Sequence, residues 1–436
     1  MEHIASLLPE PVRNKSKMRT YKIIRNNVSR SIYFLLLNIA LLSNIHNDSS
    51  TSPFAHSFTL SASISRRNAL ITMSSSASAT NNKYWNRETV KPEQYDKSKS
   101  IIKQAKIICI SDPKDDANAN LYEGALLPDG SKILAIGSSL TDFDLQMLKE
   151  EKPNVIFSSH GKAREPLAKL IEELPSIEWI HSRSAGIDYI TSPALAQSSD
   201  GILVTNAKGS FSSTLAEYNM MAIAYFAIDL PRLLQQKKDK NWNKYCVEEI
   251  RGKTLGIIGY GDIGRACATL AKAYGMKIIA QRRNPALSNA DPLVDVVYGN
   301  GQESINKIMA ECDYILISAP LTDATRGMIN KEAFEHIHSN AVLINVGRGP
   351  IIDEEAMIVA LKEGKMKGAA LDVVATEPLP VSSELWELNN VLLSPHNMDQ
   401  TATFAHEATD FFIKENLPRF VRGEELLNPV DKVAGY

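Results

Sequence analysis

The segment from 255 to 280 constrains the fold most strongly, because it reads as a strand, a glycine loop, a helix and a second strand in succession. The apolar run LGII is followed by Gly259, Gly261 and Gly264, then by the helical pattern RACATLAKAYG and the apolar run KIIA. Gly259 permits a tight turn, Gly261 lets a ligand approach the backbone, and Gly264 lets the helix pack closely on the strand. The helix N-terminus adds N–H donors and a positive dipole, so the segment predicts a dinucleotide site, with a purely structural turn as the alternative.

Three charged side chains follow later apolar runs. Arg348 in VGRGPIID, Glu377 in LDVVATEPL and His396 in LLSPH each come just after a run that reads as a buried parallel strand. Ligands of a doubly wound sheet bind outside the carboxyl ends of its strands, so we expect the three side chains in one crevice. A carboxylate beside a histidine favours the imidazolium, which is a ready acid, and an arginine fork binds a carboxylate or carbonyl oxygen. Together they suit the reduction of a 2-oxo acid.

The order of these landmarks resembles that of the D-isomer-specific 2-hydroxyacid dehydrogenases. The landmarks are SAGID at 184–188, VTNAKGSFSSTLAEY at 204–218, GYGDIG at 259–264, SAPLTDATRGMIN at 318–330, INVGRGPIID at 344–353, GAALDVVATEPLP at 368–380 and LLSPHNMDQT at 392–401. The resemblance covers about residues 100–436. It implies an α/β protein with two Rossmann-like domains, in which a doubly wound parallel-sheet cofactor domain is inserted in a smaller flavodoxin-like substrate domain.

The resemblance also implies a role for each site residue. His396 is the general acid in reduction, Glu377 orients its imidazole, and Arg348 holds the substrate carboxylate. The backbone N–H groups around Ala185 and Gly186 cradle the same carboxylate. The residues assigned to the cofactor are Gly259, Tyr260, Gly261, Asp262, Ile263, Gly264, Arg282, Arg283, Ala319, Pro320, Val346, Gly347 and, against the nicotinamide carboxamide, Asp372.

Each catalytic assignment has a structural alternative. A histidine at a strand end is often only a hydrogen-bonded residue near the surface, Arg348 could be a turn residue between two glycines, and Glu377 could be a solvated loop acid. His160 and His181 end two strands of the other domain, where they are expected to be structural or to line the substrate cleft. The wider alternative is a dinucleotide-sensing corepressor or structural protein with little turnover, as some members of the superfamily are.

The residues after the second strand favour NADP over NAD. NAD-specific members place an acid there to bond the ribose 2′-OH, whereas this chain reads Ala280-Gln281-Arg282-Arg283-Asn284. Two arginines would bind a 2′-phosphate, although a solvated pair is the alternative. The implied substrate is a small 2-oxo or 2-hydroxy acid, with glyoxylate or hydroxypyruvate the first candidate. Formate dehydrogenases carry glutamine in the role of Glu377, so the glutamate argues against formate.

Composition indicates an ordinary globular enzyme. Hydrophobic residues make up 44% and charged residues 22% of the chain, and the net charge is −2, which gives no reason to expect a nucleic-acid or membrane partner for the mature form. The four cysteines show no CxxC or metal spacing, so neither a disulfide framework nor a metal site is expected. The resemblance implies a homodimer.

The first hundred residues differ in character. A basic stretch precedes the apolar run IYFLLLNIALL, and the serine-rich segment 49–87 has no acidic residue. A signal followed by a transit segment predicts import into a plastid. The alternatives are a mitochondrial leader, a secretory signal, or initiation at Met73 that gives a cytosolic form.

We expect four regions along the chain. They are a leader over 1–98, the substrate domain over 99–205, the NAD(P)-binding domain over 206–400, and a C-terminal helix over 401–436 that returns to the substrate domain. A capping box at Thr214 and Glu217 predicts the start of a long helix, which Pro231 is expected to bend or end. Strands are expected at KIICI, NVIFSS, IEWIHS and GILVTN, and near 255, 278, 295, 315, 343, 370 and 392.

Overall fold

A five-stranded parallel sheet forms the first part of the described chain. The computed structural model describes residues 100–198 and 201–432, so the predicted leader lies outside the described residues. The order β2-β1-β3-β4-β5 is that of flavodoxin-like domains and confirms the expected architecture. The strands are Lys106–Ile110 (β1), Lys132–Gly137 (β2), Val155–Ser158 (β3), Trp179–Ser182 (β4) and Leu203–Asn206 (β5).

A seven-stranded parallel sheet forms the second part. Its order is β12-β11-β10-β9-β6-β7-β8, so the direction of winding reverses between β6 and β9, as in a doubly wound dinucleotide-binding sheet. All seven strands expected in this domain are present. They are Thr254–Ile258 (β6), Lys277–Gln281 (β7), Val296–Tyr298 (β8), Tyr314–Ile317 (β9), Val342–Asn345 (β10), Gly368–Leu371 (β11) and Val391–Leu393 (β12).

Helices cover the faces of both sheets, as parallel sheets require. Those in the first part are Ala119–Tyr122 (α1), Leu145–Glu151 (α2), Arg164–Glu173 (α3) and Pro193–Ala196 (α4). Those that follow are Ser212–Ala227 (α5), Leu230–Lys238 (α6), Asp262–Ala273 (α7), Gln302–Glu311 (α8), Lys331–His336 (α9), Glu354–Lys362 (α10), Phe404–Phe411 (α11) and Leu417–Val421 (α12).

The predicted capping box at Thr214 is wrong. Helix α5 already begins at Ser212, after Phe211, and no side chain caps it, so Thr214 and Glu217 lie inside the helix. The earlier start follows from packing, because Phe211 is buried in the same apolar core as the helix and brings the chain into the cofactor domain at that point.

Pro231 is the second residue of a helix, although it was expected to bend or end one. Helix α5 ends at Ala227, and the chain turns at Asp229, which has a φ of +53° and whose side chain caps α6. Proline fits the first turn of α6, because the N–H that it lacks has no partner within the helix there.

The C-terminal segment packs on the first sheet. Helices α11 and α12 are joined by a π-helical turn at Phe412–Asn416. The rings of Phe412 and Phe420 each lie 5.1 Å from the indole of Trp179 in β4, measured between centroids. The segment therefore completes the apolar core of the first sheet.

Glu248 lies just before β6 and connects the starts of two strands of the second sheet, β6 and β11. Its carboxylate lies 2.8 Å from Nζ of Lys253 and 2.9 Å from Nζ of Lys367, which precedes β11. Burial alone would raise the pKa of Glu248, but the hydrogen bonds and charges of these lysines outweigh it and hold the pKa below its usual value.

Within residues 100–198 and 201–432, no helix is long and apolar enough to cross a membrane. The same part of the chain contains no group of three or more histidine, cysteine, aspartate or glutamate side chains that could hold a metal ion, and its four cysteines are free thiols.

Candidate active site

The glycine loop joins β6 to α7 and has the shape that a diphosphate needs. Gly259 has a φ of +93°, and a Cβ there would lie 2.4 Å from the backbone of Ala319. A Cβ on Gly264 would lie 2.9 Å from Ile257, so this glycine lets α7 pack against β6. Gly261 faces open space, with no atom within 4 Å of an added Cβ. The loop therefore presents accessible backbone at the helix N-terminus, which fits a dinucleotide.

A cavity of about 860 Å³ extends from this loop between the ends of the two sheets. It brings together most of the residues predicted to contact the cofactor, together with the predicted substrate loop. Those that line it are Gly259, Tyr260, Gly261, Asp262, Ile263, Arg282, Arg283, Ala319, Pro320, Val346 and Gly347, with Ala185, Gly186 and Arg348. We call it the cofactor cleft. Of the remaining predicted residues, Gly264 is buried against β6 and Asp372 lines a second cavity.

The end of β7 presents arginines and amides to this cleft. Gln281 Nε2 donates a hydrogen bond of 2.8 Å to Asn300, and Arg282 Nη1 donates one of 2.6 Å to Ser288 Oγ. Asp291, the first acid after β7, is already bonded to Tyr260 and to Arg265 of α7.

Arg348 lies where the two domains meet. Its Nη2 and Nε atoms lie 3.0 and 3.3 Å from Oδ1 of Asp188, and Nη1 donates a hydrogen bond of 2.9 Å to the carbonyl of Gly347. A Cβ on Gly186 would lie 1.8 Å from Nη2, so a larger residue there would displace the guanidinium from this position. The structure therefore joins the β10 loop to the substrate loop after β4. Asp188 has no place in the roles assigned from sequence, because only the fold brings it to Arg348.

His396 and Glu377 form a direct pair. Nδ1 of the imidazole lies 2.7 Å from Oε2 of Glu377, while Oε1 of Glu377 accepts a hydrogen bond from the backbone N–H of Val374. The two side chains are 39% and 37% exposed, so solvent can exchange protons with them. When the imidazole is charged, Nδ1–H points to the carboxylate and Nε2–H remains for a substrate.

Asp372 holds the loop that carries His396. It is 3% exposed, and its Oδ1 accepts hydrogen bonds from Ser394 Oγ at 2.7 Å and from the backbone N–H of Asn397 at 3.1 Å. The backbone N–H of His396 donates to the Asp372 carbonyl at 2.9 Å. Ser394 and Asn397 lie on either side of the histidine in the sequence. No local sequence pattern indicates that they would contact Asp372. Because a buried carboxylate is costly unless bonded, these contacts explain its position.

The three predicted catalytic residues line two cavities. Arg348 faces the cofactor cleft, whereas Glu377 and His396 line a second cavity of about 610 Å³ together with Asp372 and Trp386. We call it the histidine cavity.

The loops beside these cavities are packed backbone to backbone. A Cβ on Gly349 would lie 1.9 Å from the main chain of Val374. The loop that carries Arg348 thus contacts the loop that leads to Glu377.

The two other histidines at strand ends have different surroundings. His181 is fully buried, with Nδ1 2.7 Å from Thr205 Oγ1 and its ring 5.2 Å from that of Phe412. It is therefore part of the core and does not border a cleft. His160 is partly exposed and accepts a hydrogen bond from the N–H of Lys162.

Comparison with known proteins identifies the family of this chain. The sequence profile described as "D-isomer specific 2-hydroxyacid dehydrogenase, NAD binding domain" matches residues 220–397. A glyoxylate reductase of Thermofilum pendens is 31% identical over 285 residues, which are 61% of this chain and 81% of that protein. A glyoxylate/hydroxypyruvate reductase B of Erwinia tasmaniensis is 34% identical over 247 residues, 55% of this chain and 74% of that protein.

A longer relative and a solved structure extend the comparison. A D-3-phosphoglycerate dehydrogenase of Methanocaldococcus jannaschii is 33% identical over 294 residues, 66% of this chain, but the match spans only about half (53%) of that protein. A D-isomer specific 2-hydroxyacid dehydrogenase of Xanthobacter autotrophicus Py2, solved with NADPH and MES, is 26% identical with a TM-score of 0.63, and the match covers 76% of this chain and 99% of that one. The chain therefore belongs to the D-isomer-specific 2-hydroxyacid dehydrogenases, a family of NAD(P)-dependent oxidoreductases that interconvert 2-oxo and 2-hydroxy acids.

Proposed function

We propose that this protein reduces glyoxylate or hydroxypyruvate to the corresponding 2-hydroxy acid, of D configuration where the product is chiral, with NADPH as the electron donor. The observation that carries the proposal is the 2.7 Å pair of His396 and Glu377 at the carboxyl ends of strands in the sheet that also bears the glycine loop. Relatives named glyoxylate reductase and glyoxylate/hydroxypyruvate reductase support the choice of substrate.

His396 supplies the proton in this mechanism. A dinucleotide held at the glycine loop would supply hydride to the carbonyl carbon, and negative charge would then develop on the carbonyl oxygen. The Nε2–H of the imidazolium donates its proton to that oxygen, so that an alcohol forms and the histidine becomes neutral. Glu377 accepts the hydrogen bond of Nδ1 and so orients the imidazole with Nε2 toward the substrate side. Solvent then restores the proton, because the imidazole is partly exposed.

Arg348 and the substrate loop position the 2-oxo acid. A guanidinium binds a carboxylate with directional hydrogen bonds, and backbone N–H groups at Ala185 and Gly186 add further donors. Asp188 holds one edge of the guanidinium and so fixes its direction against Gly186. Two loops from different domains thus receive one carboxylate, which would favour closure of the cleft around the substrate.

The preference for NADPH rests on Arg282 and Arg283. Both line the cofactor cleft after β7, next to the neutral Gln281. A 2′-phosphate would gain charge-assisted hydrogen bonds there. The Xanthobacter relative binds NADPH.

We also propose that the protein is a homodimer that associates through α5 and the segment after it. Large apolar side chains are exposed along this region, among them Leu234 at 58%, Trp242 at 95% and Val247 at 59%. An apolar surface of this kind is typical of a subunit interface. Light scattering should give twice the chain mass, and Trp242→Lys should shift the protein to the monomer. A monomeric wild type would exclude the proposal.

Plastid import remains a proposal that rests on the composition of the leader. A fusion of residues 1–98 to a fluorescent protein should enter the plastid, whereas a fusion that starts at Met73 tests the cytosolic alternative. Mitochondrial or secreted fluorescence would replace the proposal with one of its rivals.

The test of function is NADPH oxidation by the purified protein with a panel of 2-oxo acids. The panel contains glyoxylate, hydroxypyruvate, 3-phosphohydroxypyruvate and a bulkier 2-oxo acid. Fast turnover with glyoxylate or hydroxypyruvate supports the assignment. A strong preference for the phosphorylated acid would instead match the phosphoglycerate dehydrogenase relatives.

A further inference from the structure

An ion pair crosses the cofactor cleft beside the glycine loop. Nζ of Lys208, in the loop after β5, lies 3.4 Å from Oδ2 of Asp262, the first residue of α7. Both residues line the cleft together with Gly259 and Gly261. The pair therefore connects the first sheet's loop with the helix N-terminus that is proposed to receive the dinucleotide.

The carboxylate of Asp262 creates a charge conflict at this position. Without ligand, an acid in the first turn of α7 is favoured by the helix dipole. A dinucleotide laid on Gly259 and Gly261 would bring two further negative charges within a few ångströms. Like charges at that distance repel, and the repulsion is stronger in a cleft than in open solvent. A cation is needed nearby, and Lys208 lies within reach.

Lys208 has a fixed backbone and an exposed side chain, so its ammonium group can change partners. Its backbone is fixed, because its N–H donates to Asn206 Oδ1 at 3.2 Å and its carbonyl accepts from Asn428 Nδ2 at 2.7 Å. Its side chain is 53% exposed. The flexible stem can therefore carry the ammonium group from Asp262 to a phosphate oxygen without any change in the fold.

We propose that Lys208 is a diphosphate-binding residue that the substrate domain contributes across the cleft, and that Asp262 holds it there before the dinucleotide binds. The inference rests on the proposed dinucleotide site and adds a residue to it. Binding replaces the Lys208–Asp262 pair with a Lys208–phosphate pair, which ties the two domains together around the cofactor.

Dinucleotide affinity in two variants of the full chain tests the exchange. NADPH binding is followed by its fluorescence, with no 2-oxo acid present. Lys208→Met should weaken binding about fivefold to thirtyfold, as expected for the loss of one partly exposed charged hydrogen bond. Asp262→Asn should strengthen binding about twofold to fivefold, because it removes both the competitor and the repulsion. Lys208→Arg should stay within about threefold of wild type.

The decisive result is that Lys208→Met and Asp262→Asn change NADPH affinity in opposite directions. If the pair were only a structural connection, Lys208→Met and Asp262→Asn would weaken NADPH alike, and that result would overturn the proposal. Adenosine 2′-monophosphate, which lacks the diphosphate, should bind wild type and Lys208→Met equally, and an equal loss of both ligands would also count against it.

The same experiment separates this inference from the proposed function. Wild-type protein that binds NADPH but reduces no 2-oxo acid would refute the function and leave the Lys208 test intact. Wild-type protein that binds no dinucleotide would refute both.

Discussion

Replacement of His396 by asparagine should remove the proton donor while it preserves the backbone. His396 has a φ of +51°, a left-handed conformation that asparagine tolerates and alanine disfavours by about 1 kcal/mol. Its N–H donates to the Asp372 carbonyl, and asparagine retains that bond. The side chain is 39% exposed, so its loss leaves no large cavity. We therefore expect the unfolding free energy of His396→Asn to stay within about 1 kcal/mol of wild type.

The catalytic loss should be much larger than the loss of stability. A positioned general acid contributes about 10²-fold to 10⁴-fold to the rate, which corresponds to about 3 to 5 kcal/mol of transition-state stabilisation. Glu377→Gln keeps the acid but replaces a charged hydrogen bond with a neutral one, so its kcat should fall only about tenfold. The expected order of kcat is wild type, then Glu377→Gln, then His396→Asn.

The assay measures kcat, KM and NADPH affinity for the three proteins. NADPH affinity should be unchanged within about threefold, because neither side chain lines the cofactor cleft. His396→Ala serves as the matched control, with the same catalytic loss but a lower thermal midpoint from the strained φ. A His396→Asn protein that folds, binds NADPH and keeps kcat within tenfold of wild type would refute the assignment of the acid.

Three further predictions concern the cofactor and stability. Alanine at both Arg282 and Arg283 should raise the KM for NADPH at least tenfold more than that for NADH, and an equal effect on both would remove the argument for NADP. Gly261→Ala should leave the thermal midpoint nearly unchanged, because its Cβ meets no atom within 4 Å. It should weaken NADPH binding about tenfold, because the methyl group blocks the approach of the diphosphate to the backbone. Unchanged NADPH affinity would show that the diphosphate lies elsewhere. Glu248→Gln should lower stability by about 1 kcal/mol at pH 7 in urea unfolding. Because the pKa of Glu248 is lowered in the folded state, its contribution is complete above the unfolded pKa of about 4.3 and is lost as pH falls through the folded pKa; a difference that grew on acidification would contradict this.

The sequence predicts most of the sheet architecture, because buried parallel strands are short apolar runs bounded by loops. It does so for all seven strands of the second sheet. The run KILAIG of β2 is harder to recognise as a strand from the sequence, because β2 lies at a sheet edge and most of its residues are only partly buried. The capping box failed because its residue spacing does not fix where a helix begins, and in α5 both residues lie within the helix. The start of α5 depends on where Phe211 becomes buried.

The candidate site likewise contains some features that the sequence predicts and others that it does not. Residues that directly follow strands, such as Arg348 and His396, can be located because the fold places strand ends at the ligand crevice. Contacts that join distant parts of the chain cannot be located from the sequence. Asp188 meets Arg348 across 160 residues, and Lys208 meets Asp262 across the cleft. Only the packing of the two domains brings such pairs together, and no local pattern encodes it.

The proposed activity is tested most directly by the rate of NADPH oxidation by wild-type protein with hydroxypyruvate, combined with the configuration of the product. We predict rapid oxidation and D-glycerate as the sole enantiomer, with much slower turnover of NADH. Folded protein that binds NADPH yet oxidises it with none of the 2-oxo acids, or that forms L-glycerate, would contradict it.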